Sequence, residues 1–206
     1  MTAYPPEPWY LGGSLLVGVF LVPQPEGFEL PDGRHPLRIG RRIIVGAAFV
    51  RYVPGGALSY DELLVATPSL GSGGLRFTIP QIWVDSAASR AGGRELWAIP
   101  KELEAFTRTE TGTEVTASMG SVASIDARFG RRIVPGMLQL ALPILQVLGG
   151  RRVLSRNRVI GRIFGLRSDW DFSPDGPLGY LSGRKPLLSV AIRDASIIFG
   201  MDVERS

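Results

Sequence analysis

Glycine and proline break this chain at intervals of roughly ten residues, and valine, isoleucine, leucine and aromatics crowd the runs between them. That rhythm favours strands joined by tight turns. β-Branched and aromatic side chains fit a pleated surface, and glycine supplies turn conformations that other residues avoid. Leu11–Val22 reads as a strand with a bend near Gly12-Gly13. Ile39–Val53 is a second, ending at the turn Pro54-Gly55-Gly56. Leu75–Asp85 is a third, interrupted at Pro80. Glu114–Met119 and Val122–Phe129 form a hairpin around Gly120-Ser121. Arg151–Trp170 reads as two strands joined near Arg156-Asn157, and Leu187–Phe199 as a closing strand or strand pair. Pro23–Arg38 and Asp171–Arg184 read as loops, and Ser86–Ala98 as the start of a short helix leading toward Pro100. Ser59–Ala66 is open between helix and strand, because Ser59 and Glu62 have the spacing of a helix capping box. The expected class is mainly β with minor α, a predominantly antiparallel barrel or sandwich.

A length of 206 residues suits one domain over 1–206. With 45% hydrophobic and 20% charged residues the chain has a core to bury and is not of the disordered class. It has no cysteine, which removes disulfides, thiolate nucleophiles and cysteine-type zinc sites. The single histidine, His35, lies in the loop Gly33-Arg34-His35-Pro36 and makes no paired-histidine motif. Asp169, Asp171 and Asp175 lack the spacing and closing glutamate of a calcium loop. Neither a metal nor a cofactor is expected. The net charge of +4 permits an anionic partner, but the arginines are scattered singly and in pairs. Nucleic acid would want them on one face with aromatics to stack bases, so it is not the expected partner. Met1–Pro8 has no basic region before an apolar run. The most apolar run, Pro135–Leu148, is 14 residues long and contains Pro143, short of the ~20 residues that cross a bilayer. It reads as a buried or pocket-covering segment. An interfacial contact is the lesser alternative, given Arg131, Arg132, Arg151 and Arg152 beside it. Stable membrane insertion is therefore not expected, and a cytoplasmic location is.

Lysine is the scarce residue. Of 23 basic side chains only Lys101 and Lys185 are lysine. Arginine carries charge equally well, but lysine alone loses its proton within reach of neutral pH and becomes a nucleophilic amine. Lys101 lies in Gly92–Phe106, GGRELWAIPKELEAF, among Leu96, Trp97, Ile99 and Leu103. Packed around it, these would strip water from the ammonium and lower its pKa. On the residues alone, a surface lysine on a turn after proline stands as the alternative.

Gly93-Arg94-Glu95-Leu96-Trp97-Ala98-Ile99-Pro100-Lys101-Glu102-Leu103 resembles the GREL-x-x-x-PK-x-L signature of the acetoacetate decarboxylase superfamily. In that family the lysine after the proline forms a Schiff base with a ketone. Tyr60-Asp61-Glu62 is similar to the family's tyrosine–x–glutamate, whose glutamate lies in the active site. The resemblance is dense from Tyr60 to Phe106 and loose from about Tyr10 to about Gly200. It implies a closed or cone-shaped antiparallel double barrel, a homo-oligomer, a small keto substrate and no cofactor. It also implies Lys101 as nucleophile and Glu62 as acid/base, with Tyr60, Arg94 and Trp97 as candidate pocket residues. Arg94 and Glu95 read as a pair that fixes the lysine's loop, with a substrate carboxylate as the alternative partner of Arg94.

Three positions depart from the family pattern. Its N-terminal-strand arginine falls near Gly13, a second acidic residue falls near Ala47, and the lysine after the catalytic lysine is Glu102 here. The expected function is a Schiff-base lyase acting on a keto acid or ketone, by decarboxylation or by aldol or dehydration chemistry. The alternatives are a non-catalytic small-molecule-binding barrel with Lys101 held protonated by Glu102, and an interfacial membrane or partner contact through Pro135–Leu148.

Overall fold

The computed structural model describes residues 2–206. The strands are β1 (Trp9–Val22), β2 (His35–Pro36), β3 (Arg38–Ile39), β4 (Arg42–Val53), β5 (Tyr60–Leu70) and β6 (Arg76–Val84). After the helix α1 (Ala87–Trp97) come β7 (Lys101–Leu103), β8 (Phe106–Thr111), β9 (Glu114–Met119), β10 (Ala123–Arg132) and β11 (Leu138–Leu148). β12 (Arg151–Phe172), β13 (Leu188–Phe199) and β14 (Val203–Arg205) finish the chain. The mainly-β expectation holds.

A ring of strands closes on itself in the order β11, β6, β5, β4, β1, β13, β12, with β12 returning to β11. Closure removes the unpaired edges that an open sheet would present. Neighbours in the ring are antiparallel except β6 and β11, which run parallel and share a single register pair, Phe77 with Ile144. Side chains reinforce that seam. Thr78 Oγ1 donates to the Leu145 carbonyl at 3.1 Å, and Gln146 Nε2 donates to the Ile79 carbonyl at 3.0 Å. Pro80 does not interrupt β6 as its sequence suggests. The register with β5 shifts between Val65 and Thr67, a bulge beside which a residue without an N–H is tolerated.

β12 is one strand of 22 residues, where the sequence reads as two. Asn157 stays in the ladder because its side chain is itself bonded. Its Nδ2 donates to the Leu142 carbonyl at 3.0 Å, and its Oδ1 accepts the Gly200 N–H at 2.7 Å. The register breaks later, between Ile160 and Arg162, at Gly161. A Cβ there would lie 2.5 Å from Ile192 Cγ2. Beyond this point β12 carries β10, β9 and β8 as a meander outside the ring.

Two apolar cores result. Trp9, Leu11, Val50, Ile82, Ile144, Val159 and Ile197 point into the ring. Leu16, Phe20, Phe49, Leu63, Ile125 and Trp170 fill the space between the outer faces of β1, β4 and β5 and the meander. Strands buried on both faces explain the unbroken apolar run of β4. Pro135–Leu148 supplies β11, a wall of the ring. No helix among the described residues is long and apolar enough to cross a membrane.

The β6–α1–β7 segment closes one end. Ser86 caps α1, accepting the Ser89 N–H on its side chain at 3.2 Å. At the other end Ala98 adopts φ 55°, and the Ile99 N–H bonds the Gly93 carbonyl at 3.0 Å. The helix carries two adjacent glycines despite their poor helix propensity. At Gly92 a Cβ would lie 2.5 Å from Trp9 Cζ2, and Trp9 packs edge-on against Trp97 with centroids 4.7 Å apart. An alanine gains about 1 kcal/mol of helix propensity. Overpacking against the buried Trp9 indole and the Tyr4 ring costs ~1–3 kcal/mol and wins. Gly92→Ala is expected to lower the unfolding free energy in urea titrations followed by tryptophan fluorescence. A more stable variant would contradict this packing.

Candidate active site

Lys101 begins β7, which pairs in parallel with β6 so that Lys101 lies beside Ile82. Its side chain is buried, and the stem runs across the face of α1 at Gly93. A Cβ on Gly93 would lie 2.7 Å from Lys101 Cδ and 2.9 Å from Cε. The glycine of the sequence motif is thus the groove in which the lysine lies. Nζ makes three hydrogen bonds, donating to Glu62 Oε2 at 2.7 Å, Ser89 Oγ at 2.9 Å and Tyr60 Oη at 3.2 Å. It also sits 5.1 Å from the Tyr60 ring centroid.

Glu62 reaches this point from β5. The β4–β5 hairpin sets Tyr52 opposite Tyr60 and Val50 opposite Glu62, so these side chains share the inner face. Ser59 does not cap a helix. Its hydroxyl donates to the Tyr52 carbonyl at 3.1 Å and helps close the hairpin, and the capping-box reading of Ser59 and Glu62 is corrected. Tyr52 Oη donates to Glu62 Oε1 at 3.1 Å, so both carboxylate oxygens are engaged. Glu62 and Lys101 are 2% and 4% exposed, which makes theirs a buried ion pair.

Burial pulls the Lys101 ammonium down, and the facing Glu62 and Tyr60 pull it up further, leaving it above the ordinary 10.5. Burial alone would favour the free amine. The counter-ion reverses the sign and keeps the resting lysine protonated. Tyr60 is pushed up to about 12 by burial and by Glu62, and Tyr52 well above its ordinary value for the same reasons. Both tyrosines are neutral hydroxyls at pH 7. The cluster therefore holds one movable proton between Nζ and Oε2, along a hydrogen bond of 2.7 Å. Moving that proton gives an amine beside a carboxylic acid, which is the pairing that carbonyl addition and loss of water require.

The pair faces a space of about 110 Å³ inside the ring. One water needs roughly 10–15 Å³ on this measure, so a small organic molecule has room. The walls are apolar, with Leu11, Val50, Ile79, Ile144, Val159 and Ile197 among them.

The sequence candidates divide here. Lys101, Glu62, Tyr60 and Trp97 all line the cavity. Arg94 does not. Its Nη1 donates to the Lys101 carbonyl at 3.1 Å and to Glu102 Oε1 at 2.7 Å, tying α1 to β7 from outside. Nor does it pair with Glu95, which instead accepts a hydrogen bond from Tyr4 Oη at 2.5 Å. Glu102 is exposed and held by Arg90 and Arg94, so the carboxylate that meets Lys101 Nζ is Glu62. Sequence reasoning missed Ser89 and Tyr52. Ser89 is one helical turn ahead of Gly93, on the face that carries the lysine stem, and Tyr52 is placed by folding β4 and β5 symmetrically about Pro54-Gly55-Gly56. Ala47 packs in the outer core with Phe49, away from the cavity. Gly13 has no space for any side chain, because a Cβ would fall 1.9 Å from the Arg51 carbonyl oxygen.

Comparison with known proteins agrees with this fold. Among solved structures, an acetoacetate decarboxylase from Legionella pneumophila superposes with a TM-score of 0.76 at 16% identity, over 100% of this chain and 90% of that one. MppR, an enduracididine biosynthesis enzyme solved with pyruvate, gives 0.72 at 17% identity over 100% and 91%. An acetoacetate decarboxylase-like enzyme from Sphingomonas wittichii gives 0.67 at 14% identity over 98% and 94%. At these identities the likeness is one of fold. No curated protein sequence matches the chain. The acetoacetate decarboxylase family model matches residues 25–130, just over half the chain and the part that holds both the Tyr60–Glu62 and the Gly93–Leu103 segments, and the chain belongs to the acetoacetate decarboxylase family.

Proposed function

We propose that this protein is a cofactor-independent lyase that forms a Schiff base between Lys101 and the carbonyl carbon of a keto acid or ketone. The observation that carries the reading is the buried Lys101–Glu62 contact of 2.7 Å on the wall of an apolar cavity. The proton on Nζ passes to Glu62, and the free amine adds to the carbonyl. Glu62 returns that proton to the oxygen of the adduct, takes a second proton from its nitrogen and delivers it to the resulting hydroxyl, and water leaves as the C=N bond forms. Ammonium and carbonyl have become an iminium and water, with the charge unchanged. Ser89 and Tyr60 hold Nζ in place, and Tyr52 orients the carboxylate. The iminium then accepts electrons from a bond at the adjacent carbon, whether to a carboxylate or to a β-carbon. The domain we assign is the whole of 1–206, since β12 builds both the ring and the meander. A homo-oligomer in the cytoplasm completes the proposal.

One observation favours a second reading, a binding barrel without catalysis. The partners of Lys101 hold its proton rather than release it. Borohydride separates the two. Incubation with a panel of keto acids and ketones, reduction and peptide mass mapping is expected to give an adduct on Lys101. Lys101→Met, which fills the same groove with an apolar stem, is expected to give none while keeping the wild-type circular dichroism. Absence of any adduct with ligand binding intact would establish the binding barrel instead.

The pH dependence follows from the shared proton. The pair keeps one proton until pH passes the raised Lys101 value, above 10.5. The trapping rate of a neutral ketone is therefore expected to stay level from neutral pH into that alkaline range. In Glu62→Gln the carboxylate that raises Lys101 is gone and burial remains, so the amine appears only by losing its proton to solvent. Its rate is expected to rise with pH, with a midpoint below the ordinary lysine value of ~10.4. Superimposable profiles for the two proteins would remove Glu62 from the mechanism.

A further inference from the structure

We infer that the substrate is an uncharged ketone or aldehyde carrying an extended apolar chain, which lies along the inside of the ring with its carbonyl at Lys101. This inference rests on reading Lys101 as the Schiff-base lysine. Two features of the cavity carry it: the charge of its walls and its direction.

Among the residues that line the cavity, the charged ones are Lys101 and Glu62, and they neutralise one another. The polar ones are Tyr52, Tyr60, Asn157 and the indole N–H groups of Trp9 and Trp97; Trp9 Nε1 donates to the Pro5 carbonyl, and Trp97 Nε1, which has no partner among the described residues, lies against Gly200. Tyr52 donates its proton to Glu62. Asn157 is committed at both ends, to the Leu142 carbonyl and the Gly200 N–H. A substrate carboxylate would therefore enter as an uncompensated buried charge, which is strongly disfavoured. The structure also excludes the two nearest ways of adding a cation. Arg94 points outward to Glu102, and at Gly13, on the inner face of β1, the Arg51 carbonyl already fills the place of a Cβ.

The cavity also has a direction. Around Lys101 its walls are shut by buried Trp9, Trp97, Ile99, Tyr52 and Tyr60. Along β5 beyond Glu62, and on β6 and β11 beside it, the lining residues Leu64, Ala66, Phe77 and Leu142 are half-buried, while at the lysine end Phe199, packed on Trp97, is the half-buried one. Glu62, Leu64 and Ala66 are alternate residues of β5 on one face, so Ala66 lies about 13 Å along the strand from Glu62. Those 13 Å carry no polar side chain on β5. A two- or three-carbon substrate would leave most of this wall uncovered. A chain reaching toward Ala66 would cover it, and each buried methylene should tighten binding about fourfold.

The test uses the wild-type protein and unbranched methyl ketones from acetone to decanone, with the 2-oxo acids of matching chain length beside them. Two quantities are read: the concentration giving half-maximal borohydride-trapped adduct on Lys101, and quenching of tryptophan fluorescence, since Trp9 and Trp97 line the cavity. The half-maximal concentration is expected to fall about fourfold per added methylene until the channel is full. Each acid is expected to trap at least ~10-fold more weakly than its ketone. Ala66→Phe, which narrows the far end of the channel, is expected to shorten the chain length at which tightening stops. Adducts that form equally well with acetone and decanone, or better with the acids, would overturn the proposed substrate class and leave the Schiff base standing. Chain-length-dependent quenching with no adduct from any probe would do the reverse.

Discussion

The contact of Lys101 Nζ with Glu62 Oε2, 2.7 Å long and closed off from water, sets conditions that the surrounding structure has to meet. Removing two charges from water costs several kcal/mol each, and their attraction offsets this only when geometry is good and the other donors and acceptors are satisfied. The neighbours supply those partners. Ser89 and Tyr60 take two hydrogen bonds from Nζ, and Tyr52 gives one to the second carboxylate oxygen. Each comes from a different part of the fold, so the pair exists only when the β4–β5 hairpin and α1 meet at the end of the ring. Such a cluster adds little net stability compared with a well-packed apolar one. What it provides is a proton that two atoms can exchange without crossing solvent.

Closing the ring is what keeps the pair dry, and the chain closes it with one long strand and several bare backbones. β12 serves the barrel in its first half and the meander in its second, so the outer core braces the inner one through the shared outer faces of β1, β4 and β5. At Gly92 and Gly93 the helix surface is stripped of side chains. Trp9 then packs on one, and the lysine stem lies along the other. Arg94 and Arg90, joined to Glu102, hold β7 against the helix from the solvent side. The charged half of the motif therefore positions the lysine without entering the cavity.

Much of the architecture was legible in the sequence because it follows local rules. The strand runs, the turn at Pro54-Gly55-Gly56, the hairpin at Gly120-Ser121 and the short helix before Pro100 all appear where turn residues and β-branched runs put them. The errors arose where tertiary contacts override local signals. Asn157 looked like a turn residue but is held in a strand by its own side-chain bonds. Pro80 looked like a break but sits beside a bulge. Ser59 and Glu62 had the spacing of a helix cap, yet lie in a hairpin whose inner face carries the carboxylate. At the site, the scarcity of lysine pointed to Lys101, and the family resemblance pointed to Glu62. Ser89 and Tyr52 were not legible, because serine and tyrosine are common and only the assembled ring brings them to Nζ and Oε1. The electrostatic sign was also hidden. An apolar neighbourhood suggests a lowered lysine, and the counter-ion that raises it lies 39 residues away in sequence.

The presence of only two lysines makes the central claim directly measurable. Protein labelled with carbon-13 lysine gives two side-chain signals, and Lys101→Met assigns them. The Cε shift of Lys101 is then followed against pH. A buried ammonium held by Glu62 predicts that this carbon keeps its protonated shift past the ordinary lysine value of ~10.4 and moves only above it. In Glu62→Gln the same carbon should move at lower pH than that value. If Lys101 in the native protein already loses its proton below ~10.4, desolvation outweighs the carboxylate and the shared-proton account fails.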